Sequence, residues 1–138
     1  MNRKRGAGNV LYKLETEDGT ISIHKAVVGR IIADAVREFN GKVLISNHRG
    51  KVISGLAARL GMDDIGFMEI NYGKGGLDIR FYILIRFGTS INRVTEHLIE
   101  TIKKNTEEIT GLEVKSVSVV VKGMISKQTV RRNIEVRG

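Results

Sequence analysis

The strongest constraint in this chain is an alternation. From Leu77 to Phe87 every odd position (Leu77, Ile79, Phe81, Ile83, Ile85 and Phe87) is apolar, while the even positions are Asp78, Arg80, Tyr82, Leu84 and Arg86. Successive side chains of a strand point to opposite faces, so this run specifies a strand with one face in a core and the other largely wet. Phe67 to Tyr72 and the turn Gly73-Lys74-Gly75-Gly76 precede it, which predicts a hairpin closed by glycines. A sheet with one apolar face needs a second layer to cover it. Two stretches with helical spacing supply that layer. Val28, Ile31, Ile32, Ala35, Val36 and Phe39 form one stripe, ended by Asn40-Gly41. Ile91, Val94, Leu98, Ile102 and Ile109 form the other, between the capping pair Thr89-Ser90 and Gly111.

The remaining segments fill in the same plan. Thr20 to Ile23 alternates as a short strand, and Val10 to Leu14 reads as another. Val43-Leu44-Ile45 is a third, followed by a loop over Ser46 to Gly50. Val52, Ile53, Leu56 and Leu60 then lie on one face of a short helix stopped by Gly61. Val114 to Val121 is so rich in valine that it predicts an interior position in the sheet. The expected fold class is α+β: a two-layer domain with a small mixed sheet and helices packed on one face. That domain is expected over 19–123, with 1–18 as a flexible basic N-terminal arm and 124–138 as a basic C-terminal tail.

The 138 residues include no Cys and no Pro. Disulfides, thiol catalysis, Cys-based zinc sites and iron–sulfur clusters are thereby excluded, and the turns fall to 16 Gly and to Asn, Asp and Ser. No apolar run approaches the roughly 18 residues a membrane span requires. Met1-Asn2-Arg3-Lys4-Arg5 leads into Gly and Asn rather than an apolar signal core, so direct membrane insertion and secretion by that route are not expected. The formal net charge is +8, and residues 122–138 carry half of it, with five Lys and Arg against one Glu. A cationic excess of this kind suits an anionic partner, so nucleic acid is the second choice of partner. Lys74 in the turn and Lys127, Arg131 and Arg132 in the tail are the candidate anion contacts.

Chemistry is harder to find. His24, His48 and His97 lack a second His three or four residues away, so the spacing of a helical zinc site is missing. Asp63-Asp64 follows a glycine-stopped helix, where an acidic pair caps the next turn more often than it binds a cation. Neither Ser90 nor Ser116 lies in a G-x-S-x-G frame. Gly73-Lys74-Gly75-Gly76 fits the G-x-x-G frame of KH domains, but it joins strands rather than helices and lacks a P-loop ending. An enzyme would require a cross-fold cluster of His24, His48, Asp63 or Asp64. The expectation is therefore no enzymatic activity, no metal and no cofactor. The more telling surface is the even face of the alternating strand, with Arg80, Tyr82, Leu84 and Arg86 as interaction residues and Glu69 and Asn71 alongside.

An ordered set of short motifs carries a resemblance over about residues 19–125. It comprises Gly19-Thr20-Ile21-Ser22-Ile23, then Val28 with Ile31-Ile32-Ala33 and Ala35, and Ile83-Leu84-Ile85-Arg86-Phe87-Gly88 before Ser90-Ile91. Thr110-Gly111-Leu112-Glu113-Val114 and Val117-Ser118-Val119-Val120-Val121-Lys122-Gly123 complete it. This order resembles the bacterial alkaline shock protein family, the envelope stress response proteins. The resemblance implies a non-enzymatic cytoplasmic protein that acts as a scaffold or adaptor through protein–protein contacts. It also implies, for some members, a place at the inner face of the membrane through a membrane-anchored partner and, for others, self-association. Segment 42–61 and the tail after Gly123 depart from the pattern.

Overall fold

The chain order is β1 (Val10–Thr16), β2 (Gly19–His24), α1 (Lys25–Arg37), β3 (Val43–Ser46), β4 (Met68–Gly73), β5 (Gly76–Arg86), α2 (Ile91–Thr110) and β6 (Val114–Ile125). The computed structural model describes residues 10–53 and 66–126. β5, the alternating strand, is the centre. A strand offers two edges, and both edges of β5 are filled. β6 runs parallel along one of them, from Leu77↔Val114 to Arg86↔Ile125. On the other, two antiparallel strands lie end to end: β4 pairs with Gly76 to Phe81 and β3 with Tyr82 to Ile85. The sheet is thus mixed, with β3 and β4 sharing one flank of β5. A parallel pair needs a long crossover, and α2 provides it.

The odd residues Leu77, Ile79, Phe81, Ile83 and Ile85 are all buried, whereas Phe87, one residue past the end of β5, is exposed against expectation. Over them lie Val28, Ile31, Ile32, Ala35 and Val36 of α1 and Val94, Leu98 and Ile102 of α2, so both helices share one face of the sheet. This is the expected two-layer α+β fold. The helix ends follow the expected chemistry too. Asn40 and Gly41 adopt φ of 52° and 87° after α1. Ser90 Oγ accepts from the Arg93 N–H at 3.3 Å, and Gly111 closes α2 in the left-handed region with φ 76°.

Four expectations are corrected. The valine-rich run is not interior: among the described residues β6 pairs with β5 alone and stands at the sheet's edge. The two ends of the α2 stripe, Ile91 and Ile109, are exposed, and Thr106 is buried in place of Ile109. Glu107 already reaches the first residue of β6, accepting from the Val114 N–H at 2.9 Å, so Ile109 overhangs the end of the sheet. At Val52 and Ile53 the chain is extended rather than helical. Val52 bridges to Ser46, and the Ile53 N–H donates to the Ile45 carbonyl at 2.8 Å. Leu56, Leu60, Gly61 and the Asp63-Asp64 pair lie outside the described residues. Finally, the arm expected over 1–18 is a paired strand from Val10 onward, since β1 and β2 form a hairpin of their own. Leu11, Tyr12 and Ile23 pack that hairpin against the core, and the Tyr12 and Tyr72 rings meet edge-on at 5.6 Å.

The β4–β5 turn is tighter than expected, with Gly73 and Gly76 already paired and only Lys74 and Gly75 at the bend. Gly76 has φ 117°, and a Cβ there would stand 2.3 Å from the Glu113 carbonyl oxygen, which accepts from the Leu77 N–H at 2.8 Å. Glycine at 76 thus lets β6 begin beside β5. Gly76→Ala is expected to cost about 3 kcal/mol in urea unfolding, whereas Gly73→Ala, with open space around its Cβ, should cost less than about 1 kcal/mol. Equal costs would refute this account of the turn.

Candidate functional site: the outer face of the sheet

Residues directly opposed across strands point to the same face, so the registers lay out the face that the helices leave uncovered. Its rows are Asn71–Asp78–Ser116, Glu69–Arg80–Ser118, Ser46–Tyr82–Val120 and Leu44–Leu84–Gly123. The first two rows are polar and the last two largely apolar. The face is therefore split along its length, and the two halves are treated differently.

The apolar half is not open. Tyr82 is 6% exposed and Leu84 7%, against the expectation that the even face would be wet at these positions. β4 occupies the edge of β5 beyond Tyr82, so the chain leaving β3 at Ser46 has no edge to follow and must step out of the sheet. It crosses over the outer face. The His48 ring meets the Tyr82 ring at 6.5 Å, and a Cβ on Gly50 would be 3.6 Å from Lys122 Cβ, on the far side of β5. Asn47 shapes this crossing through its side-chain oxygen, which accepts from the N–H groups of Arg49 and Lys51, both at 2.9 Å. The Leu84 side chain extends over Gly123, where an added Cβ would lie 3.5 Å from Leu84 Cδ2. The four residues singled out in sequence thus have different fates. Arg80 is exposed, Tyr82 and Leu84 are covered, and Arg86 is half-buried with its Nε lacking a hydrogen-bond partner among the described residues.

In the polar half each acid has a partner. Tyr82 Oη donates to Glu69 Oε2 at 2.6 Å, and Ser116 Oγ donates to Asp78 Oδ1 at 2.7 Å. Arg80 stands between them, directly opposite Glu69. The hydrogen bond to the Glu69 carboxylate, helped by burial and by the carboxylate's charge, holds the Tyr82 hydroxyl above the ordinary tyrosine value; Arg80 pulls weakly the other way. Ser116 meets a carboxylate with no histidine between them, which is not the geometry of an activated nucleophile. Beside Glu69 a hollow of about 370 Å³ opens toward Lys25 at the start of α1, with Met68, Ile70 and Asn71 on its walls.

The other candidates are dispersed. His24 caps α1 through its backbone only, and His48 lies on the crossing loop. Among the described residues no three His, Asp or Glu side chains converge as a metal would require. His97 joins the two helices: its Nε2 is 3.0 Å from Glu38 Oε1 and 3.3 Å from Thr101 Oγ1 on its own helix, and its ring meets Phe39 edge-on at 5.5 Å. Lys74 is exposed at the β4–β5 turn with the Lys115 side chain passing beneath Gly75. Lys127, Arg131 and Arg132 lie outside the described residues. The crossing loop was the feature hardest to see in advance. Asn47 and Gly50 mark a turn, but nothing local says over which face it passes.

The chain matches the alkaline shock protein family, described as having a cell envelope-related function, over residues 13–126. It belongs to that family. It is also similar to the uncharacterized protein YqhY of Bacillus subtilis (strain 168), at 27% identity over 127 residues, covering 84% of this chain and 87% of the other. No solved structure matches the chain at a significant level. Among the described residues no helix is long and apolar enough to cross a membrane.

The Tyr82–Glu69 bond has a consequence at high pH. A tyrosine whose value is raised on folding contributes stability that is fully present below about pH 10, the value for an unperturbed tyrosine, and is lost as pH rises through the folded value. Glu69→Gln is expected to lower the pH at which Tyr82 ionises, followed as tyrosinate absorbance against a Tyr82→Phe reference, and to leave less stability to lose in that alkaline window. An unmoved titration would show that the hydrogen bond does not set the value.

Proposed function

We propose that the protein serves its envelope-related role as a scaffold or adaptor, through contacts with another protein and without chemistry of its own. The observation that supports this reading is on the β1–β2 hairpin. Leu14 and Ile21 are directly opposed across the two strands, and they are 43% and 52% exposed. A two-stranded hairpin is marginal by itself, and this one spends Leu11, Tyr12 and Ile23 on holding to the body. It nevertheless presents a second apolar pair to solvent, next to the acids Glu15, Glu17 and Asp18 at its tip. An apolar contact rimmed by charge is the usual form of a docking surface. The reading places the protein in the cytoplasm, peripheral to the membrane, with a membrane-anchored protein as the partner. That arrangement agrees with a chain whose described helices do not span a bilayer.

The test is capture from the native host with the full chain as bait, at two salt concentrations, beside a Leu14→Lys, Ile21→Lys double variant. Both positions are exposed, so the melting temperature of the variant should match that of the parent within a few degrees. The expected result is a membrane-associated protein recovered at both salt concentrations by the parent and lost with the variant. An identical captured set from both baits would overturn the hairpin as the docking surface, and recovery of nucleic acid alone would overturn the adaptor role.

A further inference from the structure

The composition of β6 and its position disagree. Its valines read as an interior strand, yet among the described residues it lies at the edge of the sheet. Exposed edges are normally blunted by charge, proline or bulges, because their free N–H and C=O groups can pair with another strand. Here Lys115 and Lys122 are exposed, and each lies at a shift in the β5–β6 register. Between them Ser116 to Val121 carries neither charge nor proline. Val117, Val119 and Val121 point to the helix side, opposite Ile79, Phe81 and Ile83. Those three partners are completely buried, but the valines are only half covered.

We propose that β6 is the seam of a symmetric homodimer, pairing antiparallel with β6 of a second copy about a two-fold axis through Val119. The pattern of the strand itself argues for this occupant and this register. Opposed residues must be of the same parity if the helix layers of both copies are to lie on one side of a continuous sheet. Centring the axis on Val119 sets Val117 against Val121 on that side, closing the valine row over the seam. On the outer side it sets Ser118 against Val120 and Ser116 against Lys122. A slip of one residue, Ser118 against Val119, would oppose Lys115 to Lys122 and turn the two helix layers to opposite faces. Like charges directly opposed are destabilising, so both errors fall on the same wrong register. The bodies do not repel strongly either: residues 19–121 hold 14 Lys and Arg against 11 Asp and Glu. This seam is separate from the Leu14–Ile21 pair, and it stands or falls independently of the adaptor reading.

The chain has no cysteine, so one introduced thiol is a clean reporter. Directly opposed residues of an antiparallel pair have Cα atoms about 4.5–5.5 Å apart, within reach of a disulfide. The two copies of Ser118 would be diagonal neighbours, about 7–8 Å apart and beyond that reach. The experiment is sedimentation of the full unmodified chain, followed by mild oxidation of Val119→Cys and Ser118→Cys. The expected results are a particle of twice 15.3 kDa and about tenfold more covalent dimer from Val119→Cys than from Ser118→Cys. Mixing Val117→Cys with Val121→Cys chains reads the same register a second way, should Val119→Cys fold poorly. A monomer at the highest soluble concentration overturns the proposal. So does a dimer in which the position of the cysteine makes no difference, which would place the contact elsewhere.

Discussion

Everything in this domain hangs on β5 being paired on both edges and packed on both faces. Its ladder to β6 is parallel and its ladders to β4 and β3 are antiparallel. Its odd residues fill the space beneath α1 and α2, and its even residues organise the outer face. Sheet pairing is slow to assemble when the partners are far apart in sequence, and here the partners come from residues 43–46, 68–73 and 114–125. Only the β4–β5 hairpin is local. Gly76 matters because it sits where the hairpin turn and the entry of β6 coincide, so one backbone position serves both ladders.

The helices follow from that arrangement. α2 must carry the chain from the end of β5 back to the start of β6, so its length is matched to the sheet beneath it. Val94, Leu98 and Ile102 lie over the strands, and Glu107 marks the sheet's end by binding the first N–H of β6. α1 is tied to α2 by packing and, at the surface, by the His97–Glu38 contact with Phe39 beside it. That contact is exposed, so it adds little to stability, while the apolar stripe beneath it does most of the work.

How much of this was legible in the sequence depends on what each signal can report. The alternation in β5 and the two helical stripes report periodicity, and the strand and both helices came out as expected, while Phe87, Ile91 and Ile109 at the ends of those patterns stay exposed. Caps report ends, and Ser90, Asn40-Gly41 and Gly111 lie where the helices start and stop. Position within a sheet is different. Valine content reports that a strand is apolar, as β6 is on its helix side, but it cannot say which strand lies next to it. Ile109 fits the stripe of α2 by angle and still escapes burial, because the sheet below ends first.

The outer face shows the same limit in its sharpest form. Periodicity assigned Tyr82 and Leu84 to the face away from the helices, and they do lie there. Whether that face is wet is decided by residues about 35 positions earlier, Asn47 and His48. Because β4 takes the edge of β5 beyond Tyr82, the chain that leaves β3 is displaced out of the sheet, and Asn47 folds it back across β5. The strand's polar half needs no such cover, since Asp78 and Glu69 find hydroxyl donors in Ser116 and Tyr82. Beyond the hydroxyls of Tyr82 and Ser46 the apolar half has no side-chain polar groups to satisfy, and burying it under a loop removes it from water. Competition between two strands for one edge of β5 thus buries Tyr82 and Leu84 and leaves the expected interaction surface open at Arg80, Glu69 and Asn71, with Arg86 half-buried.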